Sequence, residues 1–410
     1  MSTVLYTGIG ELVTSAGGVK RGRAMNDTGV ISDGAFAVSD GIFTAVGRKD
    51  ELLTAADYDS VADLGGALVT PGIVDPHTHA VFGGERSEEF LRRLSGDGYM
   101  EIMRQGGGIA STVRATRTAD EDALVAGALP HLKRMLSMGV TTCEVKSGYG
   151  LDTDTELRQL SAVKRLGELQ SVETVPTFMG AHAVPEGMTA DGYIDYCRES
   201  SIPAAARSGM AVFADVFCEA GVFDLEQSER YLLAARREGL LLKLHADEMT
   251  CLGGAGLGAR LGAVSVDHLL KISAGDMAAI AHSDTVATVL PLTAFCLSEP
   301  YAPARELIDS GAIVAAGSDF NPGSCCSYSV PLLIALCCIY MKMSVDETLT
   351  AITVNAAAAC GVSDRVGSIE PGKQADFAVF DCERRHMLPY FSGVNLVKSV
   401  FKKGERVYNV

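Results

Sequence analysis

No apolar run in this 410-residue chain reaches the length of a membrane-spanning helix, and Met1-Ser2-Thr3-Val4-Leu5 lacks the basic start and apolar stretch of a secretory signal. A membrane partner is therefore not expected, and a cytoplasmic location is. Positive charge is also scarce. Lys and Arg total 35 against 51 Asp and Glu, a net charge of −16, which argues against nucleic acid or an anionic membrane surface as a partner. A small anionic substrate remains compatible with that field if local cations offset it. Cys-x-x-Cys pairs are absent. The eleven cysteines are an odd number, and Cys325-Cys326 and Cys337-Cys338 are adjacent pairs, a poor geometry for disulfides or zinc knuckles. Reduced, mostly buried thiols are expected. Gly106-Gly107-Gly108 lacks the Gly-Lys-Ser/Thr ending of a phosphate loop, which leaves a turn or an active-site flap. There is no internal repeat and no low-complexity linker.

Hydrophobic residues make up 47% of the chain, enough for a large core, and the length suits a barrel with an appendage. The two ends look alike. Gly34–Val38 and Gly41–Gly47 suggest a hairpin across Ser39-Asp40. Near the other end, Asp376–Phe380 and Val397–Phe401 read as strands, with a turn over 402–405 before Arg406-Val407-Tyr408. The middle alternates instead. Strand candidates lie near 68–75, 140–146, 172–178, 211–218, 240–246, 263–268, 285–291 and 312–319, with helical patterns between most of them. Thr153-Asp154-Thr155-Glu156 resembles a capping box ahead of Leu157, Leu160, Val163 and Leu166 at helical spacing. The expected fold is α/β: a (β/α)8 TIM barrel over 65–364, with a small β-sandwich domain formed from both chain termini, 1–64 plus 365–410.

Chemistry gathers at strand ends. Asp75-Pro76-His77-Thr78-His79 closes an apolar run, and alternate residues on a strand point the same way, so His77 and His79 project side by side. His245 closes a second run, His268 a third, and Asp319 a fourth. Only eight histidines exist, and four of them take this position. Taken singly, Asp319 would read as a helix N-cap and Glu248 as a surface carboxylate. Together, His77, His79, His245 and Asp319 make an N3O set that suits zinc or iron and leaves room for a bound water. A metal there would lower the pKa of that water and polarise a carbonyl. Glu248, three residues after His245, would shuttle protons. His268 would orient the nucleophile or steady the developing oxyanion.

These residues resemble the amidohydrolase superfamily, which carries His-x-His, His, His and Asp along its barrel strands. Within it they are similar to the imidazolonepropionase family. The narrower matches are Lys146-Ser147-Gly148-Tyr149-Gly150 and Asp319-Phe320-Asn321-Pro322-Gly323-Ser324, supported by Val81–Arg86, Gly180–Ala183 and Ile369–Asp376. The resemblance implies hydrolysis of the ring amide of 4-imidazolone-5-propanoate to N-formimino-L-glutamate. It implies one divalent or trivalent metal ion per chain, zinc first and iron second, on His77, His79, His245 and Asp319. Glu248, His268 and Asp319 would carry the catalysis. Arg86, Tyr149, His182, Glu248, Asn321, Gly323 and Ser324 would meet the substrate, with the Arg86 guanidinium pairing the propanoate. A homodimer is also implied. Lys146 invites comparison with a lysine bridging two metals, but it lies on the second strand, so one metal is expected. The alternative reading is a deaminase, or another cyclic amidohydrolase, acting on a related heterocycle. A non-catalytic barrel would be expected to have lost ligands, and all are present.

Overall fold

The computed structural model describes residues 2–96 and 107–410. Its centre is a parallel sheet of eight strands in sequence order: β5 (Ile73–Asp75), β6 (Val140–Lys146), β7 (Glu173–Ala181), β8 (Phe213–Cys218), β9 (Leu241–Ala246), β10 (Ser265–His268), β11 (Val286–Val289) and β12 (Ile313–Ala316). These strands are buried on both faces, as a parallel sheet wrapped in helices requires. The ends meet just beyond β5 and β12. There Thr78 bridges Phe320 in parallel, Asp319 N–H donates to the His77 carbonyl at 3.0 Å, and His79 N–H donates to the Phe320 carbonyl at 2.8 Å. The bonds that join the last strand to the first thus include backbone groups of His77, His79 and Asp319, three of the residues read as metal ligands.

The two termini build a second, mixed sheet. Its strands are β1 (Thr3–Leu12), β2 (Ile31–Ser39), β3 (Ile42–Arg48), β4 (Ser60–Pro71), β13 (Phe377–Phe380), β14 (Val397–Lys402) and β15 (Glu405–Asn409), in the order β15-β14-β13-β4-β1-β2-β3. The expected hairpin joins β2 and β3. An aromatic cluster of Tyr6, Phe36, Phe43, Phe377 and Phe401 fills this unit, with Phe377 and Phe401 stacked at 4.2 Å. The apolar run 68–75 is divided between the two sheets: Leu68–Pro71 ends β4, and Ile73–Asp75 is β5. Gly72 makes the handover, because a Cβ there would sit 2.2 Å from the Thr141 hydroxyl oxygen.

Two local details differ from the sequence reading. The helix Thr153–Leu169 is capped by Asp152, one residue earlier than expected, whose carboxylate accepts from Thr155 N–H. Glu156 is thereby released from capping and turns to the neighbouring loop. The apolar helix Val330–Ile339 packs Leu333 to Cys337 into the core of its own chain. All eleven cysteines are free thiols and most are buried, as expected. The turn expected at Gly106-Gly107-Gly108 lies partly outside the described residues.

Candidate metal centre and its surroundings

The carboxyl end of the barrel brings His77, His79, His245, His268 and Asp319 together. One ligand atom from each of His77, His79 and His245 falls within 4.8 Å of the others, and the same holds for His77, His268 and Asp319. The sets share His77 and describe one cage. Asp319 Oδ1 lies 3.4 Å from His77 Nε2 and 3.9 Å from His79 Nε2, while its Oδ2 accepts from the Thr293 hydroxyl at 2.6 Å. The backbone is strained here. His268, Leu269, Asp247 and Asp319 all hold positive φ, between 52° and 81°, at strand ends.

Two histidines have their orientation fixed from behind. His77 Nδ1–H donates to Asp267 at 2.6 Å, and His245 Nδ1–H donates to Asp215 at 3.1 Å. Each bond assigns the hydrogen to Nδ1 and leaves a lone pair on Nε2 facing the cage. His77 Nε2 has no hydrogen-bond partner although it is fully buried, and His79 Nδ1 is likewise orphaned. His79 Nε2 and His245 Nε2 face each other at 3.3 Å. Buried nitrogens without partners are costly unless something binds them. Burial, with the mutual repulsion of these rings and Lys146, holds the pKa of His77, His79 and His245 well below the ordinary value, so all three are neutral donors. A neutral N3 set with a carboxylate fits one metal ion.

Beneath the cage lies a layer of buried charge that the sequence reading did not assign to the site. Lys146 Nζ is 2.7 Å from Asp215, 2.8 Å from Glu144 and 3.5 Å from Asp267, and Lys243 Nζ is 2.6 Å from Glu144. Burial alone would lower the Lys146 pKa, but the carboxylates of Asp215, Glu144 and Asp267 outweigh it and raise it. The ammonium is therefore held as a cation among carboxylates. A signal for this layer exists in the sequence: Glu144 and Lys146, and Lys243 and His245, are polar at a spacing of two within otherwise apolar strands.

The other expected residues ring the cage. Glu248 lies 3.5 Å from His268 Nδ1; burial, then the charges of Asp319 and other acids, pushes its pKa up to about 8. Burial lowers His268 to about 4, so it is neutral. His182 stacks on His79 at 5.0 Å and its Nδ1–H meets the Gly148 carbonyl at 3.0 Å. Tyr149 packs beside His182 at 5.3 Å. Glu156, unforeseen as a site-shaping residue, accepts the backbone N–H groups of Gly148, Gly150 and Leu151 at 2.7–2.8 Å and so sets the loop that presents Tyr149.

Arg86 pairs with Glu89 through Nε and Nη2, at 2.9 and 2.8 Å. Its Nη1 lies against Gly323, where a Cβ would approach to 2.2 Å, so only glycine lets the guanidinium reach this loop. Asn321 is used inside the same loop. Its Oδ1 accepts from Gly323 N–H and Ser324 N–H at 2.9 and 2.8 Å, and its Nδ2 donates to the Asp319 carbonyl at 2.7 Å and to Ser324 Oγ at 2.8 Å. Asn321 thus ties Asp319 to the loop that meets Arg86. A cleft of about 960 Å3 opens elsewhere, between the terminal sheet and residues 167–173, but its Glu173, Arg365 and Lys402 pair with one another rather than converging on a ligand.

Comparison with known proteins agrees with this geometry. Residues 68–407 match the amidohydrolase family. The imidazolonepropionase of Parabacteroides distasonis is 51% identical over 98% of this chain and 98% of its own length. That of Bacteroides thetaiotaomicron is 49% identical over 96% of each. Among solved structures, Escherichia coli guanine deaminase superposes with a TM-score of 0.75 at 14% identity, covering 100% of both chains. A zinc-bound adenosine deaminase from Xanthomonas campestris superposes with a TM-score of 0.73 at 19% identity, covering 99% of this chain and 92% of that one. At such identities these two speak for the barrel fold alone. The full-length relatives place the chain more narrowly: it belongs to the imidazolonepropionase family of the amidohydrolases.

Proposed function

We propose that this chain hydrolyses the ring amide of 4-imidazolone-5-propanoate, giving N-formimino-L-glutamate in histidine breakdown. Kinship over the full length with imidazolonepropionases supports the substrate. The observation that carries the chemistry is the convergence of the neutral imidazoles of His77, His79 and His245 beside Asp319, with the buried Nε2 of His77 and Nδ1 of His79 left without a hydrogen-bond partner. Zinc is the first choice for the ion held by these four residues and iron the second, since imidazole and carboxylate suit both. Bound there, the ion supplies Lewis acidity toward water and carbonyl.

The chain's own groups account for the remaining steps. Glu248 holds a proton near neutrality, suited to delivery to the departing ring nitrogen and, once ionised, to accepting one from water. His268, neutral and 3.5 Å from Glu248, donates toward the developing oxyanion. Asp319 keeps one oxygen on Thr293 and turns the other to the cage. His182, stacked on His79, and Tyr149, tilted against both, line the side of the cage that would meet the ring. Arg86 receives the propanoate carboxylate, and Asn321, Gly323 and Ser324 shape the loop at that end. In the same reading the unit 1–64 plus 365–410 supports the barrel 65–364, and the protein works as a cytoplasmic homodimer.

The test is an assay on freshly prepared 4-imidazolone-5-propanoate, following loss of its ultraviolet absorbance, with metal content measured on the same sample. Rapid loss with formiminoglutamate as product, stopped by chelation and restored by zinc or iron, is expected. Absence of turnover in a sample holding one metal per chain would overturn the substrate and redirect the search to other cyclic amides and to aminated rings that release ammonia.

A further inference from the structure

The layer of charge beneath the cage has a shape that packing alone does not explain. Lys146 stands between two carboxylates that each hold a different histidine. Asp215 gives one oxygen to His245 and the other to Lys146, and Asp267 Oδ2 meets His77 Nδ1 at 2.6 Å and Lys146 Nζ at 3.5 Å. An ammonium has three hydrogens, and Lys146 has three carboxylates around it: Asp215, Glu144 and Asp267. All four side chains are fully buried, so no water replaces what any one of them loses. Lys243, the second buried cation, is directed elsewhere. It bonds Glu144 and the carbonyls of Pro76 and Ala359 and makes no direct contact with either carboxylate that holds a histidine, so its charge reaches Asp215 and Asp267 only across space.

We propose that Lys146 is a positioning residue for the metal centre, clamping Asp215 and Asp267 so that His245 and His77 stay turned with Nε2 toward the ion. This inference rests on the metal-site reading above. Without the ammonium, Asp215 and Asp267 face each other across a dry interior. Their repulsion then favours moving apart, and moving loosens the Nδ1–H bonds that fix the two rings. Removing the cation together with one anion relieves the repulsion differently. Asparagine at 215 still offers an amide oxygen to His245 Nδ1–H but carries no charge that needs Lys146.

The experiment measures zinc affinity of chelator-stripped full-length protein, by competition with a chromogenic chelator, alongside the melting temperature of the stripped form. Four proteins are compared: wild type, Lys146→Met, Lys243→Met and the double variant Lys146→Met/Asp215→Asn. Lys146→Met is expected to bind zinc about 10- to 100-fold more weakly than wild type. Lys243→Met is expected to lose stability while holding zinc within about threefold, and the double variant to regain at least about tenfold over Lys146→Met. Wild-type affinity in Lys146→Met, or an equal loss in Lys243→Met, would overturn the proposal. Should Lys146→Met not fold, the double variant decides: folding with zinc affinity within about tenfold of wild type supports the clamp, and failure to fold or to bind overturns it. A wild-type protein that bound no zinc would instead strike at the metal-site reading itself.

Discussion

The aromatic core of the terminal sheet and the carboxyl end of the barrel are both buried, yet they are built on opposite rules. In the sheet, Tyr6, Phe36, Phe43, Phe377 and Phe401 pack ring to ring, and among the described residues none of the buried, unpartnered side-chain nitrogens or oxygens belongs to it. At the barrel end, His77, His79 and His268 all carry such atoms, the backbone turns to positive φ at His268 and Asp319, and five charged side chains lie beneath. A sheet that only supports has no reason to leave polar atoms unsatisfied. A site that binds a ligand can leave such atoms open, because the ligand then completes them.

Substitutions can break this contrast from either side. The largest effect is expected from His245→Ala, which should lose metal and turnover together, read by metal analysis and the absorbance assay. Glu248→Gln should lower kcat by about 10²- to 10⁴-fold with metal content unchanged, which separates proton transfer from metal holding. In the other region, Phe377→Ala should cost about 3–5 kcal/mol in denaturant unfolding, with full metal stoichiometry and near-normal kcat in the folded fraction. If it also lost metal, the two regions would not be separable. Arg86→Ala should raise KM about 10- to 100-fold and change kcat less, as loss of a charge-assisted pair to a carboxylate requires.

The smallest effect is expected where the two units touch. Burial alone would raise the pKa of Glu173, but Arg365 and Lys402 outweigh it and hold it at about 2, against 4.5 for a free glutamate. A carboxyl depressed in the folded state stabilises above its unfolded pKa and loses that contribution as pH falls through the folded one. The melting temperatures of wild type and Glu173→Gln should therefore differ most above pH 4.5 and converge as the pH approaches 2.

Much of this was legible in the sequence because barrel strands announce themselves twice, by an apolar run and by the chemical residue that ends it. His77, His245, His268 and Asp319 all follow that rule, and the eight strands came out in order. The layer of Glu144, Lys146, Asp215 and Lys243 was harder to see. A charged residue inside a strand reads as a weaker strand until its partners on other strands are known, and Asp215 and Lys146 are sixty-nine positions apart. The split of residues 68–75 and the shifted cap at Asp152 were hidden for a different reason. Both depend on which neighbour a segment meets, Thr141 beside Gly72 in one case and the Gly148–Leu151 loop around Glu156 in the other.

The most direct measurement is anomalous diffraction at the zinc edge from crystals of the zinc-loaded protein. One peak is predicted, at about 2.0–2.2 Å from Nε2 of His77, His79 and His245 and from a carboxylate oxygen of Asp319, with Lys146 outside the coordination sphere. A peak elsewhere, or two peaks sharing Lys146, would contradict the account.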